Sequence, residues 1–300
     1  DGNEVALKVL NLEDPVNRER FDHEKHFLER FNSSKYIVGY RGSLDGMTPG
    51  GRRGVIFMEK GDGNLGDVIA WRNQQKIPDN DTHRVLLGVA VDILRGLGEL
   101  ADYWCVHHDL TPSNVLVFGN VRSGRCRAKL ADFGGAGNVQ RTVYEGYHPH
   151  GAPSKHAYVA PELLAGTVTT PRNWLDTDVW AAGVLLAELF SGSLPARWDK
   201  SAMAEGWTHR AAELHRALRE HIESGVFDEE VRRLILKMVH PVPWRRPRMQ
   251  YARQEAERIA MGHGLQLPPR EHTGQYWLLP KLLPTPQRLA QALPTYWSGL

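Results

Sequence analysis

The most informative stretch of this chain reads Val106-His107-His108-Asp109-Leu110-Thr111-Pro112-Ser113-Asn114-Val115-Leu116. Asp109 and Asn114 lie in a short loop that leads into an apolar strand, and Asp132-Phe133-Gly134 ends the second strand of a predicted hairpin. Two carboxylates and an amide supply the oxygen ligands that suit Mg²⁺, a cation that also binds substrate phosphates. The pattern therefore indicates phosphoryl transfer, which needs a metal, a cation for the phosphates and a carboxylate that orients the attacking hydroxyl.

The surrounding chain is predicted to place strands first and helices afterwards. Strands are expected over 5–10, 37–40 and 55–59, with an amphipathic helix over 19–31. A hairpin is expected over 114–118 and 128–131, and helices from near Asp81 or Thr82 and over 178–190, 211–222, 228–238 and 249–260. This order predicts an α+β fold with a small sheet-bearing lobe, a larger helical lobe and a ligand cleft between them.

The composition narrows the class of protein. Lys and Arg total 37 and Asp and Glu total 35, so the net charge is +2, which argues against a nucleic-acid partner. The longest apolar run, Val179 to Ala187, is too short to span a membrane. Cys105 and Cys126 form neither a disulfide framework nor a Cys-x-x-Cys zinc pair. We therefore expect a reducing compartment, the cytoplasm, with the nucleus as the alternative.

Taken together, the motifs resemble those of the eukaryotic-type protein kinase catalytic domain. Val5-Ala6-Leu7-Lys8 resembles the strand whose Lys holds the ATP phosphates, and Glu24 is the best match for its helix partner, with Glu29 on a neighbouring turn. His107-His108-Asp109 resembles the catalytic loop, and Asp132-Phe133-Gly134 matches the metal-binding motif without change. Further matches follow in the family's order up to about residue 262: Ala160-Pro161-Glu162, Asp178-Val179-Trp180-Ala181-Ala182-Gly183 and Arg246-Pro247.

The resemblance implies a two-lobed fold, ATP and Mg²⁺ as cofactors, and a protein substrate. Lys8, held by Glu24, would grip the α- and β-phosphates, Asn114 and Asp132 would bind Mg²⁺, and Asp109 would be the catalytic base. The nucleotide contacts that it implies are Met58 as gatekeeper, Glu59 to Gly61 as hinge, Asn64 near the ribose, and Leu116. Asp-Leu-x-Pro-x-Asn favours a Ser/Thr hydroxyl as acceptor, although Thr111 stands where Ser/Thr kinases have Lys. The sequence identifies neither the substrate protein nor an oligomeric state.

The resemblance also divides the chain. It implies an N-lobe over 1–59, a C-lobe over 60–262 and a proline-rich extension over 263–300 that packs on the C-lobe. Few residues precede Lys8, so the expected N-lobe is truncated before the Gly-rich loop that covers the phosphates in this family. The alternative function is accordingly a pseudokinase that acts as a binding scaffold, inactive for lack of that loop.

Two departures from the family pattern lead to hypotheses. His108 replaces the Arg that normally receives the activation-loop phosphate, and His is at most partly charged near neutral pH. Activity is therefore expected not to depend on phosphorylation of the candidate hydroxyls Thr142, Tyr144, Tyr147 and Tyr158. Lys155 stands where Ser/Thr kinases have Thr, and it is a candidate to reach Asp109 in place of the missing Lys.

Three alternative interpretations of the motifs fit the sequence less well. Gly61-Asp62-Gly63-Asn64-Leu65-Gly66 satisfies the dinucleotide pattern, but no acid-ended second strand follows at the required distance. His23-Glu24-Lys25-His26 is one residue short of a zinc-protease helix. A small-molecule phosphotransferase would share the Asp and Asn pattern, but it has no need of Ala160-Pro161-Glu162 and the long segment before it.

Overall fold

The computed structural model describes residues 4–75, 79–139, 156–168, 170–195, 200–226 and 228–269. The chain divides into two units, Asp1–Leu267 and Pro268–Leu300. The second unit lies almost wholly outside the described residues, and so does the predicted packing of the proline-rich extension.

The N-terminal part is built on a three-stranded antiparallel sheet. Its strands are β1 (Val5–Asn11), β2 (Tyr40–Thr48) and β3 (Gly51–Glu59), in the order β1-β3-β2. Side chains alternate along β1, so that Lys8 is half-buried while its neighbours Leu7 and Val9 are exposed. The period of two therefore turns Lys8 towards the interior.

Helix α1 (Pro15–Arg30) packs against this sheet. Its start is set by the Asp14 carboxylate, which accepts the Val16 N–H at 2.9 Å, and by proline at the first helical position. Phe21, Glu24, Phe27 and Leu28 form the buried face at helical spacing. Glu24 thus occupies a core position of an otherwise apolar stripe.

The remaining strands support the loops that follow them. A second sheet contains β4 (Gly63–Asn64), β6 (Val115–Asn120) and β7 (Arg125–Leu130), in the order β4-β6-β7. Strands β5 (Cys105–Val106) and β8 (Gly137–Asn138) pair with each other. Gly124, with φ of 69°, completes the turn between β6 and β7 in the left-handed region that favours glycine. The hairpin therefore holds the residues that precede β6 close to those that follow β7.

The rest of the first unit is mainly helical. Its helices are α2 (Leu65–Asn73), α3 (Asn80–Asp102), α4 (Pro161–Leu164), α5 (Pro171–Ser191), α6 (Lys200–Gly225), α7 (Glu229–Met238) and α8 (Met249–Gly262). Helix α5 is buried around nearly its whole circumference, as its apolar sequence predicts, and Trp180 is fully buried. None of the helices in the described ranges combines the length and apolar character needed to cross a bilayer. The predicted α+β architecture is confirmed.

Several predicted boundaries are wrong. Helices α5 and α6 are longer than the predicted ranges 178–190 and 211–222, since they begin at Pro171 and Lys200. The strand expected over 37–40 is instead β2, which starts at Tyr40, while Ile37 forms an isolated parallel bridge with Leu130. The Gly- and Asp-rich sequence of β2 hides its strand character, which comes from pairing with β3. Helix α3 is capped by Asp79, whose carboxylate accepts the Thr82 N–H at 2.7 Å, and not by Asp81 or Thr82.

Candidate active site

Lys8 is the point at which three distant parts of the chain meet. Its Nζ donates to Glu24 Oε2 at 2.6 Å and to Asp132 Oδ1 at 2.8 Å. The Glu24 side chain is fully buried, whereas 46% of the Asp132 side chain is exposed. Glu29, the other candidate partner, is exposed on α1. The structure therefore joins Lys8 to Glu24 and leaves one face of Asp132 open to a ligand.

The charges of this cluster are set by burial and by one another. Burial alone would lower the pKa of Lys8, but the carboxylates of Glu24 and Asp132 outweigh it and raise that pKa. Burial would raise the pKa of Asp132, but Lys8 outweighs it and lowers that pKa. Burial raises the pKa of Glu24 by more than Lys8 lowers it. Lys8 is therefore a cation and Asp132 an anion at neutral pH, and Glu24 relies on Lys8 to stay ionised.

The loop before β6 holds Asp109 and Asn114 against each other. Asn114 Nδ2 donates to the Asp109 carbonyl at 2.7 Å and to Asp109 Oδ2 at 3.1 Å. Since a carboxylate only accepts, the amide nitrogen must face Asp109. Asn114 Oδ1 accepts the Ser113 hydroxyl at 3.3 Å, and its second lone pair can bind a cation. The Asn114 carbonyl also accepts the Ala131 N–H at 2.9 Å. These bonds place Asn114 beside the segment that carries Asp132.

Buried groups also hold the loop before β6 in place. The two carboxylate oxygens of Asp178 accept the backbone N–H groups of His107 at 2.6 Å and His108 at 3.1 Å. His107 Nε2–H donates to the Ala131 carbonyl at 3.0 Å. Helix α5, which carries Asp178, therefore anchors the loop through backbone contacts that do not involve the Asp109 side chain.

His108 and Asp132 lie at the site in strained backbone conformations. Their φ angles are 68° and 62°, in the left-handed region that costs a residue other than glycine about 1–3 kcal/mol. The His108 ring packs edge-on against Trp174, and burial lowers its pKa to about 4. His108 is thus a neutral, half-buried residue at physiological pH.

Aromatic rings connect α1 to the Asp-Phe-Gly turn. Phe133 is fully buried, stacks on Phe27 with ring centroids 4.7 Å apart and contacts the His107 ring at 5.0 Å. His23 Nε2–H donates to the Ala136 carbonyl at 2.7 Å. These contacts hold α1 beside Asp132, and the sequence motifs do not reveal them. The only local signal is that Phe27 follows Glu24 by nearly one helical turn.

Comparison with known proteins agrees with this geometry. A family model described as "Protein kinase domain" matches residues 1–256. The chain belongs to the protein kinase domain family. It is also similar to MAP kinase kinase MKK1/SSP32 of Saccharomyces cerevisiae, with 30% identity over 203 residues. That match covers 66% of this chain and 36% of the relative, so the chain spans about a third of the relative's length.

In the kinase domain, the residues predicted to contact the nucleotide lie along β3 and the segment after it. Met58 is half-buried near the end of β3, opposite Ala6 of β1. Glu59 Oε1 accepts the Gly39 N–H at 2.9 Å and Lys129 Nζ at 2.5 Å. The Glu59 side chain therefore joins the two sheets, and its backbone N–H donates to the Gly39 carbonyl at 2.9 Å. The hinge role of Glu59 stays a prediction.

Gly61, Asn64 and Leu116 lie together at β4 and β6. Asn64 pairs with Leu116 across the strands, and a Cβ on Gly61 would lie 3.2 Å from the Leu116 Cβ. Asn64 Oδ1 caps α2 by accepting the Gly66 N–H at 2.8 Å. The glycine-rich stretch 61–66 is thus a strand and a helix cap, and the ribose role of Asn64 stays a prediction.

Two motifs of the kinase domain are structural. Arg246 forms a buried bidentate ion pair with Glu162, with Nη1 at 2.5 Å from Oε1 and Nη2 at 2.9 Å from Oε2.

Among the candidate phosphorylation sites, Tyr158 is buried and its hydroxyl donates to Glu188, so this hydroxyl is not accessible to a phosphate donor in the folded chain. Thr142, Tyr144, Tyr147 and Lys155 lie outside the described residues.

Kinase domains generally use ATP and Mg²⁺, and the donors at this site fit the cation. The half-exposed carboxylate of Asp132 and Asn114 Oδ1 are oxygen ligands, and no thiol or imidazole is needed. Lys8 supplies the positive charge that a polyphosphate requires. The residues present therefore suit a magnesium nucleotide.

Proposed function

We propose that this kinase domain is catalytically competent and transfers the γ-phosphoryl group of ATP to a Ser or Thr hydroxyl of a protein. The observation that carries the proposal is the contact of Lys8 Nζ with Glu24 at 2.6 Å and with Asp132 at 2.8 Å. This contact assembles the phosphate-binding cation beside the metal-binding carboxylate without requiring any movement of α1.

In this proposal each side chain has one task. Lys8 binds the α- and β-phosphates while Glu24 holds its ammonium group in place. Asp132 and Asn114 hold Mg²⁺, which neutralises charge on the phosphates when it is bound. Asp109, oriented by the Asn114 amide, accepts a hydrogen bond from the substrate hydroxyl and takes its proton late in the transfer.

The loop around Thr111 supports a Ser/Thr acceptor. Thr111 is 1% exposed, and its Oγ1 lies 2.9 Å from Ser113 Oγ, so this threonine stiffens the loop. Pro112 begins a short 3₁₀ turn that ends at Asn114. The Asp-Leu-x-Pro-x-Asn spacing typical of Ser/Thr kinases is therefore retained in a rigid loop, although the usual Lys is missing.

The test is transfer of labelled phosphate from Mg-ATP to a generic protein acceptor, followed by phosphoamino-acid analysis. Asp109→Asn should reduce turnover by about 10²–10⁴-fold, the usual contribution of a positioned acid or base, with little change in nucleotide affinity. Asp45→Asn is the matched control, since Asp45 only pairs with Arg52 on the surface of the sheet.

Three results would contradict the proposal. Normal turnover of Asp109→Asn would remove Asp109 from the mechanism. Label found only on tyrosine would refute Ser/Thr specificity. Binding of Mg-ATP without any phosphate transfer would favour the pseudokinase alternative.

A further inference from the structure

A cluster of three metal-binding side chains joins three helices of the first unit, outside the residues assigned to nucleotide and catalysis. His83 lies in the first turn of α3, Asp228 is the N-cap of α7 and His263 is the C-cap of α8. One ligand atom from each lies within 4.8 Å of the other two. The sequence places these residues far apart, so only the packing of the three helices brings them together.

The donor atoms converge on a single carboxylate oxygen. Asp228 Oδ2 lies 3.1 Å from His83 Nε2 and 2.9 Å from His263 Nε2. In a tetrahedral zinc site with bonds of about 2.0–2.1 Å, neighbouring ligand atoms are about 3.3 Å apart. Small rotations of the two imidazole rings would therefore bring the set to the spacing of a metal site.

The cluster is held in place by contacts that do not use these three atoms. Asp228 Oδ1 caps α7 by accepting the Val231 N–H at 2.9 Å, which turns Oδ2 towards the imidazoles. The His83 ring packs on Phe190, with ring centroids 5.7 Å apart. Arg84 Nη2 donates to the Gly264 carbonyl at 3.0 Å, which ties the end of α8 to α3. The Asp228 carboxylate, the His83 ring and the end of α8 are therefore held in place by contacts other than those among the three donor atoms.

We propose that His83, Asp228 and His263 bind a divalent transition metal of the zinc type and so clamp α3, α7 and α8 together. Two imidazole nitrogens and one carboxylate oxygen favour Zn²⁺ over Mg²⁺ or Ca²⁺, which prefer oxygen ligands alone. Each ring would keep its proton on Nδ1 and present the Nε2 lone pair to the metal. His263 is 36% exposed at its side chain, so a water molecule can occupy the fourth position.

The test uses the full chain, stripped with a chelator and titrated with ZnCl₂ against a chromophoric competitor without nucleotide. We expect stoichiometric binding that His263→Gln weakens by at least about tenfold, since even loss of an outer-shell partner typically costs 10–100-fold. Asp228→Asn should weaken binding as well while keeping the helix cap, because Asn caps about as well as Asp. His26→Gln is the matched control, since His26 is exposed on α1 and contacts the Asp22 carbonyl.

Thermal unfolding gives a second measurement. At a free Zn²⁺ concentration about 100 times the Kd of the native chain, the ratio of folded to unfolded chain should rise about a hundredfold, and His263→Gln should reduce that rise to about tenfold or less at the same concentration. MgCl₂ should produce neither effect. Zinc binding that is unchanged in both His263→Gln and Asp228→Asn would overturn the proposal. So would the absence of zinc binding, which would leave a hydrogen-bonded cluster alone.

Discussion

Replacement of Lys8 by methionine tests the charge balance of the candidate site. Methionine keeps most of the length of the side chain but removes the ammonium group that contacts Glu24 and Asp132. Asp132 is partly solvated and tolerates the loss, whereas Glu24 is fully buried and loses the cation that keeps it ionised. The main cost should therefore arise at Glu24.

The burial of the ion pair determines how much the free energy of unfolding falls in Lys8→Met and how that fall depends on pH. Removal of one partner of a buried ion pair costs about 3–5 kcal/mol, and because 29% of the Lys8 side chain is exposed we expect the lower end, about 3 kcal/mol near pH 8. Burial already raises the pKa of Glu24, and loss of Lys8 raises it further. At pH values above 4.5, the ordinary pKa of this carboxyl, Glu24 in the folded variant then binds a proton that it has released in the unfolded chain.

Folding that takes up a proton becomes less favourable as the pH rises. The free energy of unfolding of Lys8→Met should therefore fall relative to the native chain as the pH rises above 4.5, by at most about 1.4 kcal/mol per pH unit. In the native chain the pKa of Lys8 is raised from 10.5 and that of Asp132 is lowered from 3.8, so neither group titrates near neutral pH. Neither group contributes to the slope.

The assay is urea unfolding followed by far-UV circular dichroism at several pH values. Lys60→Met is the matched control: Lys60 pairs with Glu4 at 2.8 Å on the surface, with side chains 52% and 76% exposed, and its loss should leave the urea midpoint nearly unchanged at every pH. Lys8→Met combined with Glu24→Gln should lose the slope. A Lys8→Met cost that does not change with pH, or that equals the Lys60→Met cost, would refute the reasoning.

Two further predictions concern packing and regulation. Gly54→Ala should destabilise the fold by about 1–3 kcal/mol, because its Cβ would lie 2.7 Å from Phe21 Cδ2, whereas Gly46→Ala, with no heavy atom of the described residues within 4 Å, should leave the urea midpoint nearly unchanged. Equal midpoints for the two variants would contradict this. Phosphatase treatment of the purified chain should leave kinase activity unchanged, because the neutral, half-buried His108 offers no charge to a phosphate. Loss of activity in the radiolabel assay would contradict this prediction.

Much of the fold and the identity of the candidate site could be predicted from consecutive residues. The apolar spacing of α1 and α5 and the alternation in β1 are local patterns, and the structure contains all three elements. The choice of Lys8, Asp109, Asn114 and Asp132 also follows from short motifs. Their chemical roles can be predicted from the sequence because the binding of phosphate and Mg²⁺ requires particular side chains in a particular order.

Other features depended on tertiary structure because each involves residues that are distant in sequence. The sequence offers both Glu24 and Glu29 to Lys8, and only the packing of α1 on the sheet selects Glu24. Strand β2 exists because β3 pairs with it, and His108 is neutral because Trp174 and the surrounding core exclude water. Local patterns determine which elements form, whereas burial, pKa and the meeting of distant donors are properties of the packed chain.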